Sequence, residues 1–96
     1  MTDTIDLNPG TQISRSDNIA AVDVSEEAIL LDVDSGYFFQ LNRTAASIWR
    51  LVEEPRSFAD LCVALQQEFP GAGDALAEDV HGFVVDLAQR RVLHLA

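Results

Sequence analysis

The chain has no lysine, a single cysteine (Cys62) and no long uninterrupted apolar run among its 96 residues. One cysteine rules out an intramolecular disulfide and leaves a cysteine-based zinc site short of ligands, a pattern that suits a reducing compartment. No apolar stretch approaches the ~20 residues of a membrane span. The opening "MTDTIDLNPG" has neither the basic start nor the apolar core of a signal peptide, so a soluble cytoplasmic protein is expected. With six arginines against sixteen acidic residues the formal charge is −10. Such a surface repels nucleic acid, whose sequence-independent affinity comes from cations neutralising phosphates. It suits a protein or peptide partner, or serves solubility alone.

What is present is the composition of a globular chain, 48% hydrophobic and 23% charged, enough for one small core and one domain. Residues 1–10 are polar, end in Pro9-Gly10 and show no periodicity, which predicts a flexible N-terminus ahead of a single domain over 11–96. From Thr11 to Leu41 the texture is that of strands: "TQISR", "IAAVDV", "EAILLDV" and "GYFFQL". Breaks fall at Ser16-Asp17-Asn18, Ser25-Glu26 and Asp34-Ser35-Gly36, the last a hairpin turn between two apolar runs. A three-stranded antiparallel meander ending in "GYFFQL" is expected.

After Leu41 the apolar period lengthens. Asn42 is a good N-cap, and Ala45, Ile48, Trp49 and Val52 then share one helix face up to Glu53-Glu54-Pro55. Ser57, with Asp60 three residues on, opens a second helix whose face carries Phe58, Leu61, Cys62, Leu65 and Phe69 before Pro70-Gly71. Asp74 is placed to cap a third helix through about Arg91, with Leu76, Val80, Phe83 and Leu87 in step and Val84 and Ala88 widening the face. Gly82 stands in the middle of it at a cost of roughly 1 kcal/mol relative to alanine, which suggests close approach by a neighbouring helix or a bound ligand, or else a glycine accepted by chance. "VLHLA" closes the chain as a short strand or a tail. The fold class predicted is α+β, a winged-helix-like arrangement of a three-stranded antiparallel sheet followed by a three-helix bundle.

Chemistry is hard to find in this pattern. His81 and His94 are thirteen residues apart and make no metal pair at helical spacing. Cys62 lies on an apolar helix face, where cysteine is usually inert filling. The paired acids Glu26-Glu27, Glu53-Glu54 and Glu78-Asp79 sit at turns and helix ends, and no glycine-rich phosphate loop is present. No enzyme activity, metal or cofactor is expected. Three helices with a sheet also fit a winged-helix DNA-binding or transcription-regulator-like domain, but Asp74, Glu78 and Asp79 occupy the helix that would have to meet DNA.

The remaining feature is Tyr37-Phe38-Phe39. Neighbours on a strand point to opposite faces, so this triplet places aromatic surface on both sides of a sheet. The run Gly36–Leu41 also lacks the charges and prolines that guard an exposed edge. As the last strand of a meander it would leave backbone donors and acceptors free for an added peptide strand, a recurrent recognition mode, or for a second copy of the chain. Val80, Phe83, Val84 and Leu87 would then be either core or the far wall of a groove.

The stretch "LLDVDSGYFFQLNRTAASIWRLVEEPRSFADLCVALQQEF" and, after a gap, "DVHGFVVDLAQRRVL" resemble the PqqD-like family of precursor-peptide recognition elements over about Ala20 to Leu93. The junction Leu41-Asn42 with Ala45 and Ile48-Trp49 carries most of the likeness, together with Asp79-Val80 and Phe83. "SGYFFQLN" is closer to members from lasso-peptide clusters than to the pyrroloquinoline-quinone chaperone. Arg91 stands where many members have a helix-ending glycine. The resemblance implies non-catalytic binding of the leader of a ribosomally made, post-translationally modified precursor peptide and its presentation to a tailoring enzyme or protease of the same pathway. It further implies that the leader adds as a strand beside Tyr37, Phe38, Phe39, Gln40 and Leu41 and packs against Val80, Phe83, Val84 and Leu87.

Overall fold

The computed structural model describes residues 7–73 and 75–96. Its strands are β1 (Gln12–Arg15), β2 (Ile19–Val24), β3 (Glu27–Asp32), β4 (Phe38–Leu41), β5 (Arg56–Ser57) and β6 (Leu93–Leu95), and its helices α1 (Arg43–Leu51), α2 (Phe58–Glu68) and α3 (Ala75–Gln89). They form two three-stranded antiparallel sheets, ordered β5-β1-β6 and β2-β3-β4.

The meander is thus β2-β3-β4, while "TQISR" does not join it. β1 pairs instead with β5, formed by the two residues that lead into α2, and with β6, the C-terminal "LHL". Ile13 at the centre of β1 is wholly buried, so this second sheet ties the two ends of the domain over the core. The expectation of one sheet followed by three helices is corrected accordingly: β5 stands between α1 and α2, and β6 follows α3. The flexible segment expected over 1–10 lies partly outside the described residues. Leu7 packs on the core, and the Pro9 carbonyl accepts a hydrogen bond from the Ala59 amide at 3.0 Å.

Local chemistry sets the meander's turns. Ser25 has φ +61° in the two-residue β2–β3 connection, matching hairpin turns whose first central residue is left-handed. Between β3 and β4, the Asp32 carboxylate accepts from the amides of Asp34 and Ser35, and Gly36 supplies φ +78°, a conformation glycine adopts without steric cost. Asn42 then takes extended dihedrals and its side chain accepts from the Ala45 amide at 3.0 Å. This cap starts α1 immediately after β4 and fixes helix to strand. Ser57 caps α2 in the same way through the Asp60 amide. The expected cap of α3, Asp74, lies outside the described residues.

The helices cover one face of the meander. Ala28 and Leu30 of β3, Leu41 of β4, Ala45, Ile48 and Trp49 of α1, Leu61 and Leu65 of α2, and Leu76, Val80, Val84 and Leu87 of α3 make a single core. Each fully buried leucine or isoleucine there contributes about 1.5–3 kcal/mol. Arg15 joins the sheets to the core by donating to the Trp49 carbonyl at 3.0 Å while its guanidinium stacks 4.3 Å from the indole centroid.

The end of α3 departs from the expected Arg91. The helix stops at Gln89, and Arg91 has φ +62°. The Val92 amide donates to the Leu87 carbonyl at 2.9 Å and the Arg91 amide to the Ala88 carbonyl at 3.0 Å. These two bonds, with the apolar pair Val92 and Leu87 both buried, make a Schellman C-cap in which arginine fills the left-handed position that glycine occupies most easily. The position that the family resemblance marks as glycine therefore keeps glycine's conformation, and the cap turns the chain into β6.

Candidate functional site

β4 ends the order β2-β3-β4, and its outer edge has no strand partner among the described residues. Which of its groups face that edge follows from the register. The Asp32 amide donates to the Tyr37 carbonyl at 2.9 Å, so Asp32–Tyr37 is a hydrogen-bonded pair. Such pairs alternate along an antiparallel ladder, which makes Leu30–Phe39 and Ala28–Leu41 the next hydrogen-bonded pairs and Leu31–Phe38 and Ile29–Gln40 the open ones. The N–H and C=O groups of Phe38 and Gln40 consequently point away from the sheet.

The same alternation answers how the aromatic triplet is covered. Phe39 and Leu41 face the helices, Phe39 half-buried and Leu41 only 4% exposed. Phe38 is on the outer face and 70% exposed; Tyr37, in the turn before the strand, is equally exposed. On the same outer face the neighbouring cross-strand row, that of Gln40, carries Ile29 and Val22, both also exposed.

Between the β4 edge and α3 runs a groove. One part, about 290 Å³, is lined by Phe38, Phe39, Gln40, Leu41, Asp86, Leu87 and Arg90. Next to it a hollow of about 630 Å³ is lined by Thr44, Glu78, Asp79, Gly82, Phe83 and Asp86. Asp86 borders both. Arg90 bridges the two walls: its guanidinium lies 5.8 Å from the Phe39 ring centroid and pairs with Asp86 at 3.2 Å.

Of the residues singled out from the sequence, Phe38, Phe39, Gln40, Leu41 and Leu87 border the first part and Phe83 the second. Tyr37 stands at the entrance of β4 without lining either. Val80 and Val84 are corrected: both are 0% exposed and form the core behind the groove. The apolar stripe of α3 is wider than its exposed part, and the stripe's centre faces inward. Conversely, Thr44, Gly82, Asp86 and Arg90 border the groove and were not named as site residues, although Gly82 stood out as an expensive residue in a helix.

A larger hollow, about 890 Å³, opens between the two sheets, lined by Ser14, Arg15, Ser16, Asp17, Asn18, Asp32, Asp34, Ser35, Arg91 and His94. It is bordered by turn residues and polar strand ends, and every residue lining it is polar or charged. The β4 groove combines a free strand edge with an apolar wall, which favours it for an extended ligand. Among the described residues no three His, Cys, Asp or Glu side chains converge as a metal site. His81 packs edge-on against Phe58, with centroids 6.0 Å apart. Burial pushes the Cys62 thiol pKa up, away from the thiolate that nucleophilic chemistry needs.

Comparison with known proteins adds a decisive observation: the model of the family described as coenzyme PQQ synthesis protein D (PqqD) matches residues 27–93, more than two thirds of the chain. The chain belongs to the PqqD family. Two solved structures share its fold. "TbiB1 in Complex with the TbiA(beta) Leader Peptide" superposes with a TM-score of 0.75 at 25% identity, covering 84% of this chain and 94% of that one. "Lasso peptide synthetase B1 complexed with the leader peptide" superposes with a TM-score of 0.71 at 26% identity, covering 85% and 96%. No curated protein matches the chain. These lasso-type neighbours of a PqqD-family chain agree with the likeness read from "SGYFFQLN". No helix of the described residues is long and apolar enough to cross a membrane.

Proposed function

We propose that this protein is a non-catalytic recognition element that binds the leader of a ribosomally synthesised, post-translationally modified precursor peptide and presents it to a tailoring enzyme or protease of the same pathway in the cytoplasm. The observation that carries the reading is the free edge of β4, with Phe38 and Gln40 directing their backbone groups outward beside a groove walled by α3. Two PqqD-like structures with leader peptide bound share the fold, which supports the same ligand class here.

In this reading the leader pairs as a strand with Phe38 and Gln40. Its inward side chains lie over Phe39, Leu41, Phe83 and Leu87, while Phe38 flanks it on the outer side and Tyr37 stands at the entrance of β4. Main-chain hydrogen bonds supply affinity and the α3 wall supplies choice among sequences. Helices on one face of a meander, the first capped straight out of β4, support a winged-helix-like reading, but the α3 surface carries Glu78, Asp79 and Asp86, charges that oppose a DNA groove.

The test is titration of fluorescently labelled leaders from any precursor-peptide genes found near this protein's gene, with backbone amide shifts followed in parallel. Saturable binding with shifts over 37–41 and the groove side of α3 is expected. Absence of binding, or shifts confined to the β5-β1-β6 sheet, overturns the assignment.

A further inference from the structure

Gly82 is the residue whose placement the fold itself does not require. It occupies the middle of α3, where glycine is the worst helix former after proline. A Cβ built on it meets no atom within 4 Å, and its φ is not in the left-handed range. Neither a neighbouring helix nor backbone conformation therefore calls for glycine here. The bare backbone instead opens into the 630 Å³ hollow beside Phe83.

The charge around it is of one sign. Glu78, Asp79 and Asp86 stand four before, three before and four after Gly82, positions that share a helix face. Asp86 is paired with Arg90, whereas no described arginine lies within ion-pair distance of Glu78 or Asp79. The hollow shares Asp86 with the part of the groove that borders β4, so a peptide strand laid on that edge has this depression nearby.

We infer that Gly82 is the floor of a subsite for a long cationic side chain of the bound peptide, an arginine or lysine. Its apolar stem lies across Gly82 and the Phe83 ring, and its charged end sits among Glu78, Asp79 and Asp86. Such side chains lay their methylenes on apolar surface while the head stays with water and counter-charge. A Cβ at position 82 fills the floor and lifts the stem. The inference rests on the leader-binding reading and specifies which leaders fit: those with a basic residue at the position facing the middle of α3.

The experiment uses the leader that binds in the titration above, the same leader with its arginines and lysines replaced by glutamine, and the proteins wild type, Gly82→Ala, Gly82→Leu and Phe83→Asp. Because the new side chains enter open space and improve helix propensity, Gly82→Ala is expected to melt roughly 4–8 °C higher while binding the leader more weakly. Gly82→Leu is expected to lose about tenfold or more in affinity, the cost of overfilling an occupied site. For wild type, the glutamine leader binds up to about fivefold more weakly and with less salt dependence. In Gly82→Leu the difference between the two leaders disappears. Stabilisation with unchanged leader affinity in either Gly82 variant, while Phe83→Asp abolishes binding, overturns the subsite and leaves the leader-binding reading standing. Equal affinity of wild type for both leaders also overturns the subsite. A wild type that binds no leader in that titration overturns both.

Discussion

The meander has two free edges, and they are chemically unlike. β2 is exposed along nearly its whole length and directs the backbone groups of Ile19, Ala21 and Asp23 outward, as follows from the Val33 amide bonding the Asn18 carbonyl and the register below it. No groove accompanies that edge among the hollows described above, and Asp23 is tied back by Arg50 at 3.1 Å. β4 is shorter, yet it runs into the Asn42 cap on one side and faces α3 across a groove on the other. An unpaired edge alone offers hydrogen bonds to any extended chain. An edge beside a structured wall adds the side-chain contacts that discriminate among peptides.

The largest effect expected from breaking this contrast is that of Gln40→Pro. Proline there removes an outward-facing N–H without touching the β3 ladder, and a lost, unreplaced hydrogen bond lowers leader affinity roughly 10- to 100-fold. Ala21→Pro, the equivalent change at the β2 edge, is expected to change it by less than about twofold; calorimetric titration of both variants makes the comparison. Next is the wall. Phe83→Ala removes apolar surface from the groove and weakens leader binding by about tenfold, whereas Val22→Ala, on the outer face, leaves the dissociation constant unchanged in the same titration.

Smaller effects sharpen the contrast by leaving both edges alone. Arg91→Gly relieves the left-handed arginine in the Schellman cap and is expected to stabilise the fold by about 1 kcal/mol, read as a higher melting temperature with leader affinity unaltered. The smallest concerns Cys62, which is half-buried against the core and lines neither part of the groove. Its raised thiol pKa implies alkylation slower than that of a free cysteine at pH 7–8, where less thiolate is present. A rate unchanged by bound leader is expected if the ligand stays at β4; mass spectrometry of iodoacetamide-treated protein measures both.

What could be read from residues alone follows the range of the forces involved. The β3–β4 turn, the Asn42 cap and the Ser57 cap depend on neighbours within a few positions, so Asp34-Ser35-Gly36, Asn42-Ala45 and Ser57-Asp60 declared them. The separation of "TQISR" from the meander depends on pairing with Arg56–Ser57 and Leu93–Leu95, distant in sequence and too short to show a period of two. Periodicity located the apolar face of α3 but not its buried centre, and so Val80 and Val84 were grouped with Phe83. Gly82 was legible as a cost, and only the empty space around it removed a neighbouring helix as its reason. The facing of Phe38 and Phe39 needed the tertiary packing, in which the helices cover the face of the meander that carries Leu30, Phe39 and Leu41.

The most direct measurement of the difference between the two edges is amide hydrogen exchange with and without leader. The N–H groups of Phe38 and Gln40, unpaired in the free protein, are expected to exchange quickly alone and to become protected when the leader is bound. Those of Ile19, Ala21 and Asp23 are expected to exchange at the same rate in both states. Protection appearing at the β2 edge, or at neither edge under saturating leader, contradicts the assignment of β4 as the strand that receives the peptide.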